Sequence, residues 1–273
     1  MKVLGILGSH QRDGVNGQLL QAVLAGVGPE DDVSTIFLND FQILPDTGQP
    51  NPVLDQLEQQ LLAADVWVLV APTYWGAMSG VMKNFLDCMR GRLVRFNHVG
   101  DALPDRFKGK SYVTISSCYA SGLEEFVTGM TDGTFRTFDK VLSAAGLLKI
   151  REVVQTNSFG LKTLPMKKRT ECQQIGASLQ HKAKRTDDTV KRYGQLFGMV
   201  ACATLITMLL QRLVNIVLPV TQFWANYVSF VLIFLSYLRA YSAFSQWLNI
   251  EDIRRLSYEN CINCTRSSKT VNR

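Results

Sequence analysis

Five short apolar runs, separated by amphipathic stretches, constrain this chain more than any other feature. Val3–Leu7, Val33–Leu38, Val66–Ala71, Tyr112–Ser116 and Ile150–Gln155 read as strands. Between them, Asn16–Leu24, Leu54–Ala64, Ser79–Arg90 and Gly133–Ala145 repeat their apolar residues at helical spacing. Val66-Trp67-Val68-Leu69-Val70-Ala71 is apolar at every position, which suits a strand covered on both sheet faces. The alternation predicts an α/β domain on a five-stranded parallel sheet. In the strand order 2-1-3-4-5, ligands sit at the carboxyl ends of strands one and three. Those ends are Gly8-Ser9-His10 and Pro72-Thr73-Tyr74, so two unusual loops are expected side by side.

The first loop, GSHQRDGVNGQLL over residues 8–20, leaves a buried strand and opens a helix. Small residues let a backbone wrap an anion, and amides of the helix terminus point toward it. Ser9 offers a hydroxyl, Arg12 a fork, and Asn16 and Gly17 the terminal amides. Neither GxxxxGK[ST] nor GxGxxG is present, which disfavours a nucleoside triphosphate or a dinucleotide here and leaves a monophosphate. A capped turn that binds nothing is the competing reading. The second loop places Tyr74 and Trp75 between Pro72-Thr73 and Gly76. Such aromatics either cap a core or form a wall for a flat ligand. Beside a phosphate loop, the ligand they suit is flavin mononucleotide (FMN).

Both segments resemble the NADPH-dependent FMN reductase family of flavodoxin-like oxidoreductases. GSHQRDGVNGQLL is similar to its GSxRxxSxN loop, and PTYWGAMSGVMKNFLD to its P-x-Y-x-x-x-x-S-G-x-x-K-x-x-x-D segment, the more specific match. The resemblance covers residues 1–160 and implies a flavodoxin-like fold, FMN as cofactor, and NADPH or NADH as co-substrate. It also implies that Ser9, Arg12, Asn16 and Gly17 hold the phosphate and that Pro72, Thr73, Tyr74, Trp75 and Gly76 line the ring. Ser117, Tyr119 and Gly122, in the loop after strand four, would close the other side. The chain departs from the pattern at Gly14-Val15, where a Ser is usual. It is similar as well to the iron–sulfur flavoproteins, but LNDFQILPDTGQP replaces their cysteine cluster, so no metal is expected.

The rest of the chain has a different character. Residues 1–164 hold 14 Lys/Arg and 17 Asp/Glu, whereas residues 165–273 hold 15 and 6, so the basic excess belongs to the C-terminal part. A basic helical linker is expected over 165–192, a hydrophobic helical hairpin over 193–240, and a basic polar tail over 241–273. Tyr193–Gln211 and Leu213–Leu238 carry no charge and are long enough to cross a bilayer as helices, which takes ~20 residues. With basic flanks on both sides, the hairpin reads as a membrane anchor that leaves the flavin domain in the cytoplasm. Arg212, Asn215 and Pro219 favour the other reading, a cytoplasmic protein whose appendage is buried in a dimer. The basic residues flank apolar segments and form no aromatic-interleaved stripe, so nucleic acid is not an expected partner.

Six scattered cysteines make no disulfide framework, and the CINC pair Cys261/Cys264 lacks further ligands for zinc. Arg92, Arg95, Arg106 and Lys108 lie in a long basic loop, 90–110, read either as solvated surface or as a lid for the phosphates of NADPH. The expected activity is an FMN-dependent NAD(P)H oxidoreductase passing electrons to a small-molecule acceptor: a quinone, nitro, azo or flavin compound. A homodimer is expected. The alternatives are a membrane-attached electron carrier or sensor, and a scaffold that has lost its cofactor.

Overall fold

The computed structural model describes residues 1–181, 188–217 and 225–236. Two compact units, Met1–Thr186 and Asp187–Arg273, divide the chain. In the first, strands β1 (Lys2–Leu7), β2 (Asp32–Phe37), β3 (Val66–Val70), β4 (Ser111–Ser117) and β5 (Leu148–Gln155) form one parallel sheet. Its order is the expected 2-1-3-4-5. The helices of this unit are α1 (Val15–Leu24), α2 (Pro52–Ala63), α3 (Gly80–Cys88), α4 (Gly122–Thr128), α5 (Asp132–Ala144) and α6 (Met166–Ser178).

Period-two alternation distributes each central strand between two cores. Leu4, Ile6, Trp67 and Leu69 pack with residues of α2, α3 and α5, including Leu57, Phe85 and Phe138. Val3, Leu7, Val66, Val68 and Val70 face the other way, onto Leu19 and Leu20 of α1 and Cys172 and Ile175 of α6. A continuous apolar run is thus used in full, odd residues on one face and even residues on the other. The carboxyl ends of β1, β3 and β4 open into loops.

The segment from Met166 departs from the expected long basic linker. It ends as a helix at Ser178, and α6 packs on α1 within the first unit. A Cβ on Gly176 would lie 2.0 Å from the carbonyl oxygen of Val23, and one on Gly26 would lie 2.0 Å from that of Gln173. Glycine at both positions lets the two helices touch backbone to backbone.

In the second unit, α7 (Asp188–Val217) and a helix over 225–236 are joined by a hydrogen bond from Gln211 Nε2 to the carbonyl oxygen of Asn226, 2.8 Å. Leu205, Met208 and Leu213 on α7, and Val228 and Leu232 on the second helix, are exposed. Among the described residues, no helix is long and apolar enough to cross a membrane, so the spanning hairpin expected over 193–240 is not supported. The expected tail, 241–273, with Cys261 and Cys264, lies outside the described residues.

Gly176→Ala is expected to lower stability by about 1–3 kcal/mol, because the helices must separate to admit the methyl group. Chemical denaturation followed by circular dichroism measures it; an unchanged midpoint would contradict the backbone contact.

Candidate functional site

The loops after β1 and β3 meet. The Gly8 amide donates to the carbonyl of Val70 (2.8 Å), and the Ser79 hydroxyl, which caps α3 by accepting from the Met82 amide, donates to the carbonyl of Gly8. Gly8 has no room for a side chain, since a Cβ there would lie 2.6 Å from Cβ of Met82. The rings of His10 and Tyr74 stack across the junction, with centroids 6.3 Å apart and planes 16° from parallel. A turn after β2 supports the first loop from outside, where Asn39 Nδ2 donates to the carbonyls of Ser9 (3.0 Å) and His10 (3.3 Å).

Within the first loop, Gly17 sits under the backbone of Arg12; a Cβ on Gly17 would fall 1.7 Å from the Arg12 carbonyl oxygen. The loop is therefore a tight cradle around the start of α1, whose N-cap, Gly14, contributes no side-chain hydrogen bond. Ser9 is buried, and Asn16 is 8% exposed with its Oδ1 accepting no hydrogen bond. Leaving such an atom unsatisfied costs about 1–3 kcal/mol. A ribityl hydroxyl would satisfy the oxygen, and the amide turned about would offer a phosphate its N–H groups. These features fit a flavin mononucleotide. Arg12 is placed differently from the expectation: it pairs with Asp40 and lies over the Phe37 ring, 4.7 Å from its centroid.

The second loop is a small hairpin, Thr73–Tyr74 pairing with Ala77–Met78. Its two turn residues, Trp75 (φ +54°) and Gly76 (φ +75°), both have the positive φ that two-residue hairpin turns favour. Gly supplies that conformation without strain, but a tryptophan does not. The five expected ring residues divide into two groups. Pro72 and Thr73 are buried and form the base of the hairpin, whereas Tyr74 (44% exposed), Trp75 and Gly76 face outward. Trp75 is fully exposed.

Beyond β4, Ser117 is buried, Tyr119 is exposed, and Gly122 begins α4 behind its cap, Ser121. The loop 118–121 is fixed to the exit of β5 by backbone bonds from Asn157 to Ala120 (2.8 Å) and from Ser158 to Cys118 (3.0 Å). Burial pushes the Cys118 thiol up to about 11 and raises that of Cys88, so neither is a thiolate at neutral pH. Both behave as small apolar residues.

In the basic loop 90–110, two of the four cations expected there, Arg92 and Arg106, are held by carboxylates. Arg92 pairs with Asp46 (2.8 Å), Asp55 (2.6 Å) and Glu58 (2.9 Å), and Arg106 also pairs with Glu58. Arg90 lies over the Phe96 ring at 4.7 Å. Lys83 and Asp87 form the exposed pair that their spacing on α3 implies, 2.6 Å.

Sheet order, junction and cradle define a flavodoxin-like mononucleotide-binding domain. Residues 1–128 match the family model of NADPH-dependent FMN reductase, so the first unit carries an NAD(P)H-dependent FMN oxidoreductase domain with FMN as its cofactor. No curated protein sequence matches the chain. Among solved structures, the NAD(P)H:quinone oxidoreductase from Methanothermobacter marburgensis is 15% identical, with a TM-score of 0.55 over 66% of this chain and 98% of that one. A putative quinone reductase from Klebsiella pneumoniae is 18% identical, with a TM-score of 0.53 over 67% of this chain and 85% of that one. An FMN-dependent NADH-azoreductase from Bacillus anthracis, in complex with FMN, is 13% identical, with a TM-score of 0.50 over 65% of this chain and 98% of that one. At these identities the likeness speaks for the fold.

Two outcomes are expected. Gly17→Ala should weaken FMN binding at least tenfold in a titration of apoprotein, because the methyl group opens the cradle. Trp75→Gly should raise stability by about 1 kcal/mol, by removing the left-handed strain. A lower thermal midpoint for Trp75→Gly would contradict that strain.

Proposed function

We propose that the protein transfers electrons from NADPH or NADH to a small-molecule acceptor of the quinone, nitro, azo or flavin class. The observation that carries this reading is the junction of the first loop with the Thr73–Met78 hairpin, a phosphate cradle beside two outward aromatics. Bound FMN supplies the hydride and electron-transfer chemistry. The chain's part is to hold the phosphate at Ser9, Asn16 and Gly17, and to present the hairpin from Tyr74 to Gly76 to the ring. Arg12 joins the phosphate set only by giving up Asp40. No acid–base side chain is needed for hydride transfer, and none is assigned. The quinone reductases and azoreductase named above support the acceptor class by their fold.

A homodimer and membrane attachment complete the proposal. The exposed Trp75, Leu123 and Phe126 at the site end of the sheet support the first. The second, with the flavin domain in the cytoplasm, is supported by exposed apolar residues on both helices of the second unit and by the basic excess of residues 165–273. The attachment proposed is to the membrane surface, with Lys and Arg drawn to anionic lipid.

The purified protein is expected to show flavin absorbance that bleaches on anaerobic addition of NADPH or NADH. Bleaching by dithionite but not by either nicotinamide would identify an electron carrier instead. Cell fractionation should recover the flavin in the membrane pellet, releasable at high salt or alkaline pH; recovery in the soluble fraction alone would contradict attachment.

A further inference from the structure

The buried base of the hairpin carries three hydroxyls that the cofactor-facing residues do not account for. Thr73 Oγ1 lies 2.8 Å from Ser116 Oγ on β4 and 2.7 Å from Thr134 Oγ1 on α5. All three residues are buried. The contacts are long in sequence, 43 and 61 residues apart, so they join three elements of the domain at one point. A second contact sits next to them. A Cβ on Gly133, the neighbour of Thr134, would lie 2.1 Å from the Gly76 carbonyl oxygen, so α5 begins directly against the turn of the hairpin. The Ser79 amide closes the base by donating to the carbonyl of Pro72, 3.0 Å.

We infer that Ser116 and Thr134 are positioning residues for the flavin, acting through Thr73. A buried hydroxyl keeps its hydrogen bonds because losing them costs more than the bond was worth in water. Three such groups meeting at Thr73 hold the hairpin at one height above the sheet. Its outward backbone, from Tyr74 to Gly76, is the part that must meet a planar ring, and a displacement of a few tenths of an ångström is enough to lengthen hydrogen bonds to that ring. The hydroxyls therefore set flavin affinity without touching flavin. This inference rests on the reading of the site as an FMN site.

The test uses the full chain stripped of flavin, with wild type, Thr134→Val, Thr134→Ser and Ser116→Ala compared for FMN affinity and for thermal unfolding of the apoprotein. Thr134→Val and Ser116→Ala are expected to weaken FMN binding about tenfold, and Thr134→Ser to restore it to within about threefold of wild type. FMN affinities within twofold of wild type, with only the apoprotein midpoint lowered, would overturn the inference and leave the hydroxyls a role in folding alone. If Thr134→Val does not fold, Ser116→Ala decides by the same comparison. Failure of the wild type itself to take up FMN would instead overturn the underlying reading of the site, and this inference with it.

Discussion

The Ser79 hydroxyl is the fastening on which the site depends. It caps α3 by accepting from the Met82 amide and donates to the carbonyl of Gly8, so one side chain fixes a helix start and the crossing of two loops. The residue is fully buried, where an unmade hydrogen bond is costly. Gly8 is pressed against Met82 at the same place, which leaves neither loop free to drift. The phosphate cradle and the hairpin are consequently two walls of one rigid corner, and the sheet behind them supplies the rigidity. In the proposed reading FMN spans this corner, its phosphate met by the first loop and its ring by the hairpin, segments some sixty residues apart in the chain.

The parts of this architecture that arise from local pattern were legible in the sequence. Continuous apolar runs such as Val66–Val70, short and rich in β-branched residues, suit strands buried on two faces, and both faces are covered by helices. Both loops stood out because glycine, proline and exposed aromatics interrupt an otherwise apolar chain. What was not legible depends on partners far away. Thr73 reads as a ring-lining residue from its place in PTYWG, yet its hydroxyl turns inward because Ser116 and Thr134 await it there. Nothing in TDGTF marks Thr134, since a threonine at the start of a helix is ordinary. Arg92 and Arg106 read as free cations, but Asp46, Asp55 and Glu58 on other segments neutralise them. Arg12 is diverted to Asp40 by the same kind of long-range pairing.

The C-terminal part shows the limit of reading hydropathy alone. Uncharged stretches over 193–211 and 213–238 suit a bilayer in composition, but α7 and the helix over 225–236 are tied to each other by Gln211 and Asn226, a polar contact between apolar surfaces. Their exposed leucines, valines and methionines leave an apolar surface on both helices.

The most direct test of the two-loop site is amide hydrogen exchange on the full chain with and without FMN. Protection on adding FMN should rise in peptides covering residues 8–17 and 72–79, with a smaller rise over 117–122. Protection confined to residues 90–110, or none in either loop of a protein that binds FMN, would contradict the corner as the flavin site.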